Sequence, residues 1–147
     1  MEAPFEETEH GPVCKGEGWF LVNARDVRWR ESKGRGVSSN FGGDTLFDQL
    51  GVGITVVGPG EPTTMYHWES NEEDFIVVRG GGVAVLDGHE LPLAQWDVVH
   101  CPPRTAHVAD PVAARLGAAR ERNTDDTREA YKRFGPREPV RYGGWLD

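Results

Sequence analysis

Cysteine is scarce in this chain. Cys14 and Cys101 are the only two in 147 residues, far apart and in no paired motif. That excludes a disulfide framework and a thiolate zinc site. Cys101, beside an apolar strand, reads as a small buried residue. No apolar run approaches the roughly 18 residues that a membrane-spanning helix needs. The start, Met1-Glu2-Ala3-Pro4-Phe5-Glu6-Glu7, lacks a signal peptide's basic residues and apolar stretch, so the expected compartment is the cytoplasm. Positive charge is also short. Lys and Arg number 16 against 24 Asp and Glu, a formal charge of −8 with no basic stripe, which argues against nucleic acid or an anionic membrane as partner. Phosphate loops and nucleophile elbows are missing too: Ser38-Ser39 lacks the elbow's frame, and Gly80-Gly81-Gly82 lies in a hairpin rather than before a helix.

What is present is turn chemistry. Nineteen Gly and ten Pro in a chain of single-domain length point to many short strands rather than long helices. Trp19-Phe20-Leu21-Val22 has strand composition, and Val27-Arg28-Trp29-Arg30 alternates apolar and charged as a half-buried strand does. Residues 33–44, rich in Gly and Ser, read as a loop. From residue 51 strands are expected at 52–57, 63–68, 75–78, 83–86, 90–93 and 97–101, then a short piece holding His107. Asp87-Gly88 is a hairpin signal because glycine accepts positive φ at little cost. Past Asp110-Pro111 the composition turns helical, over 112–122 and again over about 126–134 before Gly135-Pro136; the aromatics of the tail Tyr142-Gly143-Gly144-Trp145 are expected to dock on the body. The expected organisation is a loosely held arm at 1–16, a β-barrel at 17–110 and a helical extension at 111–147.

Chemistry concentrates at His67, Glu69, Glu73 and His107. His67 and Glu69 are two apart, so on a strand they share a face. A turn at Ser70-Asn71 returns the chain so that Glu73 can reach the same space, and a closed barrel can bring in His107 from a distant strand. Imidazoles with carboxylates suit Fe(II), Mn(II), Ni(II) or Zn(II). Glu69 is open to three readings: a fourth ligand, a substrate-facing base, or barrel lining. In the second case His67, Glu73 and His107 make a facial triad with open positions. His100 either faces the cavity, supporting the ligands or binding substrate, or is a buried strand residue hydrogen-bonded to backbone. Asp74, Tyr66 and Trp68 should point away from the site, and His10 and His89 lie on the surface.

These residues resemble the two motifs of the cupin superfamily. The first family motif runs Gly, five residues, His-x-His, three or four residues, Glu, six residues, Gly. Here Gly60 stands one position off the opening Gly, His67 matches, Glu69 replaces the second His, Glu73 matches, and Gly80 lies seven residues beyond it. The second motif is Gly, five residues, Pro-x-Gly, two residues, His, three residues, Asn. Trp96 replaces the first Gly, Pro102 and His107 match, Arg104 replaces the second Gly, and Pro111 replaces Asn. The resemblance covers residues 51–108, and the flanks are similar to small single-domain bacterial cupins. It implies an all-β, antiparallel cupin-type barrel (a jelly roll) with an N-terminal strand arm and short C-terminal helices, holding one divalent metal. The long strands that usually follow the last metal His are missing, so the barrel is expected to be short of a wall or completed by a partner's segment.

Two functions are in view. One is a metal-dependent enzyme on a small polar metabolite, with oxygenation, isomerisation and decarboxylation all within reach of the fold. The other is a non-catalytic small-molecule binding or sensor module with structural metal or none. A homodimer exchanging N-terminal strands is the expected assembly, since pairing removes exposed strand edges.

Overall fold

Asp87 and Gly88 carry φ of 44° and 82°, the positive pair that a tight two-residue hairpin turn requires. Around them the chain forms one of many short antiparallel ladders. The structure, a computed structural model, describes residues 1–43, 47, 49–109, 120–122 and 124–144. In chain order its strands are β1 Phe5–Glu6, β2 Val13–Cys14, β3 Trp29–Glu31, β4 Val37–Ser39, β5 Ile54–Val56, β6 His67–Trp68 and β7 Glu73–Ile76. They continue with β8 Gly82–Leu86, β9 His89–Leu93, β10 Val98–Cys101, β11 His107–Ala109 and β12 Arg120–Glu121. Helix α1, Asp125–Tyr131, runs into a 3₁₀ turn at Lys132–Phe134, and β13 is Glu138–Val140. The fold is all-β and mainly antiparallel; among the described residues no sheet closes on itself.

The chain divides into two compact units, 1–56 with 136–147, and 57–135, which cut across the expected divisions at 16 and 110. In the first, β13-β3-β4-β5 form one sheet and β1-β2 a hairpin. Its core is built on Trp29, fully buried, whose indole N–H donates to the Ala24 carbonyl at 2.9 Å and whose ring lies 4.9 Å from Tyr142. Tyr142 of the tail thus docks as expected, while Trp145 lies outside the described residues. The arm is not loose. β1 pairs with β2, and Ala3, Val13 and Cys14 are buried. Gly11 allows this packing, because a Cβ there would stand 2.0 Å from the Asp26 carbonyl oxygen.

Two expectations fail in this unit. The run 19–22 is no strand: Trp19 makes one bridge to Glu2, and Phe20, Leu21 and Val22 line an apolar groove of about 340 Å³ with Phe41, Phe47 and Val52. Residues 33–44, expected as loop, contain β4, which pairs with β3 and β5. Gly and Ser are poor strand formers, and the backbone ladder on both sides overrides that weak preference.

In the second unit the sheet order is β12-β6-β11-β8-β9, and β7 pairs with β10 as a separate ribbon. The central strands align His107 with His67 on one side and Leu86 on the other. Val108 lies opposite Val85, and this pair forms the buried apolar cluster, joined by Tyr66. Strand alternation therefore sorts the sheet into a Val85–Val108 face and a His67–His107 face. The helix expected at 126–134 is α1 and its 3₁₀ extension, ended at Gly135 with φ of 72°. The helix expected over 112–122 falls mostly outside the described residues; its described end, Arg120–Glu121, is strand, pairing parallel to β6.

Candidate metal centre

β6 ends where β7 is about to begin, so His67, Glu69 and Glu73 are delivered by one strand, one turn and the next strand. β11 brings His107 directly opposite His67. Both imidazoles are almost wholly buried, and each is pinned in the same way. His67 Nδ1 lies 2.7 Å from the Met65 carbonyl, and His107 Nδ1 lies 2.9 Å from the Thr105 carbonyl. A carbonyl only accepts, so each Nδ1 must carry the proton and donate it. In the neutral ring that leaves each Nε2 as a lone pair.

Those lone pairs converge. The ring centroids are 4.6 Å apart, and ligand atoms of His67, Glu73 and His107 all lie within 4.8 Å of one another. His107 Nε2 is 3.1 Å and His67 Nε2 4.0 Å from Glu73 Oε2. Glu69 sits beside this trio, with Oε1 3.3 Å from His67 Nε2. The arrangement aims acceptors at acceptors, which is costly in a buried place without a positive centre between them. Either a proton or a metal ion supplies it, and the set of two imidazoles and one carboxylate fits Fe(II), Mn(II), Ni(II) or Zn(II).

Electrostatics agree. Burial alone would raise the Glu73 carboxyl, but its hydrogen bonds with His107 and then Glu69, followed by the charge of Arg122, hold it down at about 2. Burial also disfavours a charged His107, yet its bonds with Glu73 and the Thr105 carbonyl raise its pKa above the ordinary 6.5. At His67 burial wins, reinforced by the charges of His107 and Arg122, and the pKa falls. Phe75 closes one side, its ring 5.4 Å from that of His107. Cys101 pairs with Glu73 across the ribbon but brings no thiolate, since burial and then the Glu73, Asp74 and Asp87 charges push its thiol up to about 11.

One contributor carried no signal in the sequence. Arg122, at the end of a stretch with helical composition, donates from Nη1 to Glu69 Oε1 and lies 3.5 Å from Glu73 Oε1. Its backbone N–H is held by the Trp68 carbonyl at 2.9 Å, one residue from Glu69. Two other residues fall elsewhere. His100 bonds Asp74 at 2.6 Å, both side chains more than half exposed, on the ribbon face opposite Glu73. It stands apart from the ligands, on the side where Asp74 was expected to point. His89 is exposed in its hairpin, its ring bonded to the Leu86 carbonyl. No family model, curated protein or solved structure matches the chain.

Proposed function

We propose that this chain is a cupin-type metalloprotein in which His67, Glu73 and His107 hold one divalent ion, and that it acts as a metal-dependent enzyme on a small polar metabolite. The observation that carries the reading is the shared tautomer: two backbone carbonyls fix both Nδ1–H groups and leave both Nε2 atoms facing one small acidic cluster, His107 on Glu73 at 3.1 Å and His67 on Glu69 at 3.3 Å, with ligand atoms of His67, Glu73 and His107 within 4.8 Å of one another. A hydrogen bond from the far ring nitrogen to a carbonyl is how proteins orient metal-binding imidazoles. A bound ion of this class would polarise a substrate oxygen or activate O₂ or water.

Glu69 favours the enzyme over the binding-module reading. Four protein ligands would suit a closed, structural site; here Glu69 is drawn to the Arg122 guanidinium, and a set of three residues would leave coordination positions open on the ion. The resemblance to cupins in residues 51–108 supports the family assignment. A cytoplasmic homodimer completes the proposal. The two-stranded β7-β10 ribbon leaves strand edges unpaired among the described residues, and Ile76 and Val98 are exposed on it, features that a second copy would cover.

The test is elemental analysis of protein purified without chelator. The expected result is about one first-row metal ion per chain, lost in His107→Ala while circular dichroism still reports folded β structure. Well-folded wild-type protein without metal, and unable to take it up, would defeat the proposal.

A further inference from the structure

Arg122 has a place in the site that the metal ligands do not explain. β12 runs parallel to β6 with Arg120 opposite His67 and Glu121 opposite Trp68, which sets Arg122 at the rim of the ligand cluster. Glu73 then stands between two partners: Oε2 faces the His107 Nε2 at 3.1 Å, and Oε1 faces the Arg122 Nη1 at 3.5 Å. The guanidinium thus borders the point where the ligand atoms converge. Both Glu69 and Glu73 are met through that one nitrogen, and 41% of the arginine side chain remains open to solvent. A guanidinium has five N–H donors in a planar fork suited to a second carboxylate.

Charge decides what such a rim attracts. Glu69 and Glu73 contribute two negative charges and Arg122 one positive, so with neutral imidazoles the site carries a net −1. A divalent ion turns this to +1. The loaded site therefore favours an anion, and the guanidinium gives that anion a directional partner.

Resting on the metal reading above, we propose that Arg122 is an anion-binding residue and that the site takes a small carboxylate able to chelate the ion, such as a 2-hydroxy or 2-oxo acid. One carboxylate oxygen would pair with Arg122 while the other, with the neighbouring hydroxyl or keto oxygen, would meet the metal. A neutral ligand of the same shape gains only the second interaction.

The test uses the full chain loaded with Co(II), whose visible absorption reports ligand binding directly. Lactate and its neutral amide, lactamide, are the probes. Lactate should perturb the spectrum saturably and lactamide at least about tenfold more weakly, the size of one charge-assisted hydrogen bond. Arg122→Gln should still take up Co(II), raise the lactate dissociation constant by about tenfold and leave that of lactamide unchanged. Arg122→Lys should recover part of the loss, which a merely structural role would not do. Equal affinity of wild-type protein for the two probes overturns the inference even if Arg122→Gln misfolds, and so does an unchanged lactate constant in that variant. Failure of wild-type protein to take up Co(II) removes the metal reading itself, a different result read before any lactate is added.

Discussion

Met65 and Thr105 set what His67 and His107 can do, although neither uses its side chain. Each offers a carbonyl two residues before the ring, and this fixes the Nδ1 proton and the direction of Nε2. Metal uptake must then displace any proton on Nε2. Because the pKa of His107 is raised above 6.5, its affinity cost begins above that pH and grows as pH falls. Titrating Zn(II) into the protein in lightly buffered solution should release protons on binding, and more of them at pH 6 than at pH 8. In the metal-free protein the signs differ by residue. Glu73 is held at about 2 from an ordinary value of 4.5, so its contribution to stability is complete above 4.5 and fades as pH falls toward 2. His107 stabilises below 6.5 and loses that effect as pH rises through its raised pKa. Glu73→Gln should flatten the acid limb of the melting temperature between pH 4.5 and 2, measured with chelator present. The same substitution should weaken metal binding by more than the roughly 10–100-fold that losing a hydrogen-bond partner of a ligand costs. At this scale the sequence was informative about which imidazoles and carboxylates the fold gathers, His67, Glu73 and His107 with Glu69 beside them. It was silent on Arg122, because an arginine in a helix-like stretch looks the same whether it faces solvent or a carboxylate pair.

The β8-β9 hairpin is the element whose chemistry reaches the site most clearly. Asp87 at the turn accepts from the Ala106 N–H at 2.9 Å and returns its own N–H to the Ala106 carbonyl at 2.8 Å. The turn therefore holds the residue just before His107. Gly88, with φ of 82° and nothing within 4 Å of where a Cβ would stand, isolates the backbone effect. Gly88→Ala should destabilise by about 1–2 kcal/mol in urea unfolding with no steric component. Asp87→Ala should cost about 0.5–1.5 kcal/mol, because it removes a hydrogen bond whose N–H is left to water. This hairpin was legible because its turn residues have few other uses. β12 was not: two residues gain strand geometry only through β6, a partner more than fifty positions earlier. The 19–22 run misleads in the opposite sense, its apolar side chains lining a groove in place of a ladder.

For the whole molecule, the turn-rich composition pointed correctly to an all-β chain with little helix, and its turn signals placed most strands from residue 51 onward within a few positions. Barrel closure was not readable, since it depends on pairings between segments far apart in sequence, and the described strands form separate sheets. No helix among the described residues is long and apolar enough to cross a membrane. A ligand that binds only the folded state adds about 2.7 kcal/mol at a hundredfold excess over its dissociation constant. Adding Zn(II) or Mn(II) should therefore raise the melting temperature by several degrees, chelator should reverse it, and His67→Ala should abolish it. Light scattering should report a dimer at micromolar concentration, and a clean monomer would refute the proposed assembly.

The most direct measurement is X-ray absorption at the metal edge of the loaded protein. Two imidazole nitrogens and carboxylate oxygen at about 2.0–2.2 Å are expected, with one imidazole or no metal at all in His107→Ala. A first shell without imidazole, or an unchanged shell in His107→Ala, would contradict the claim that His67, Glu73 and His107 hold the ion.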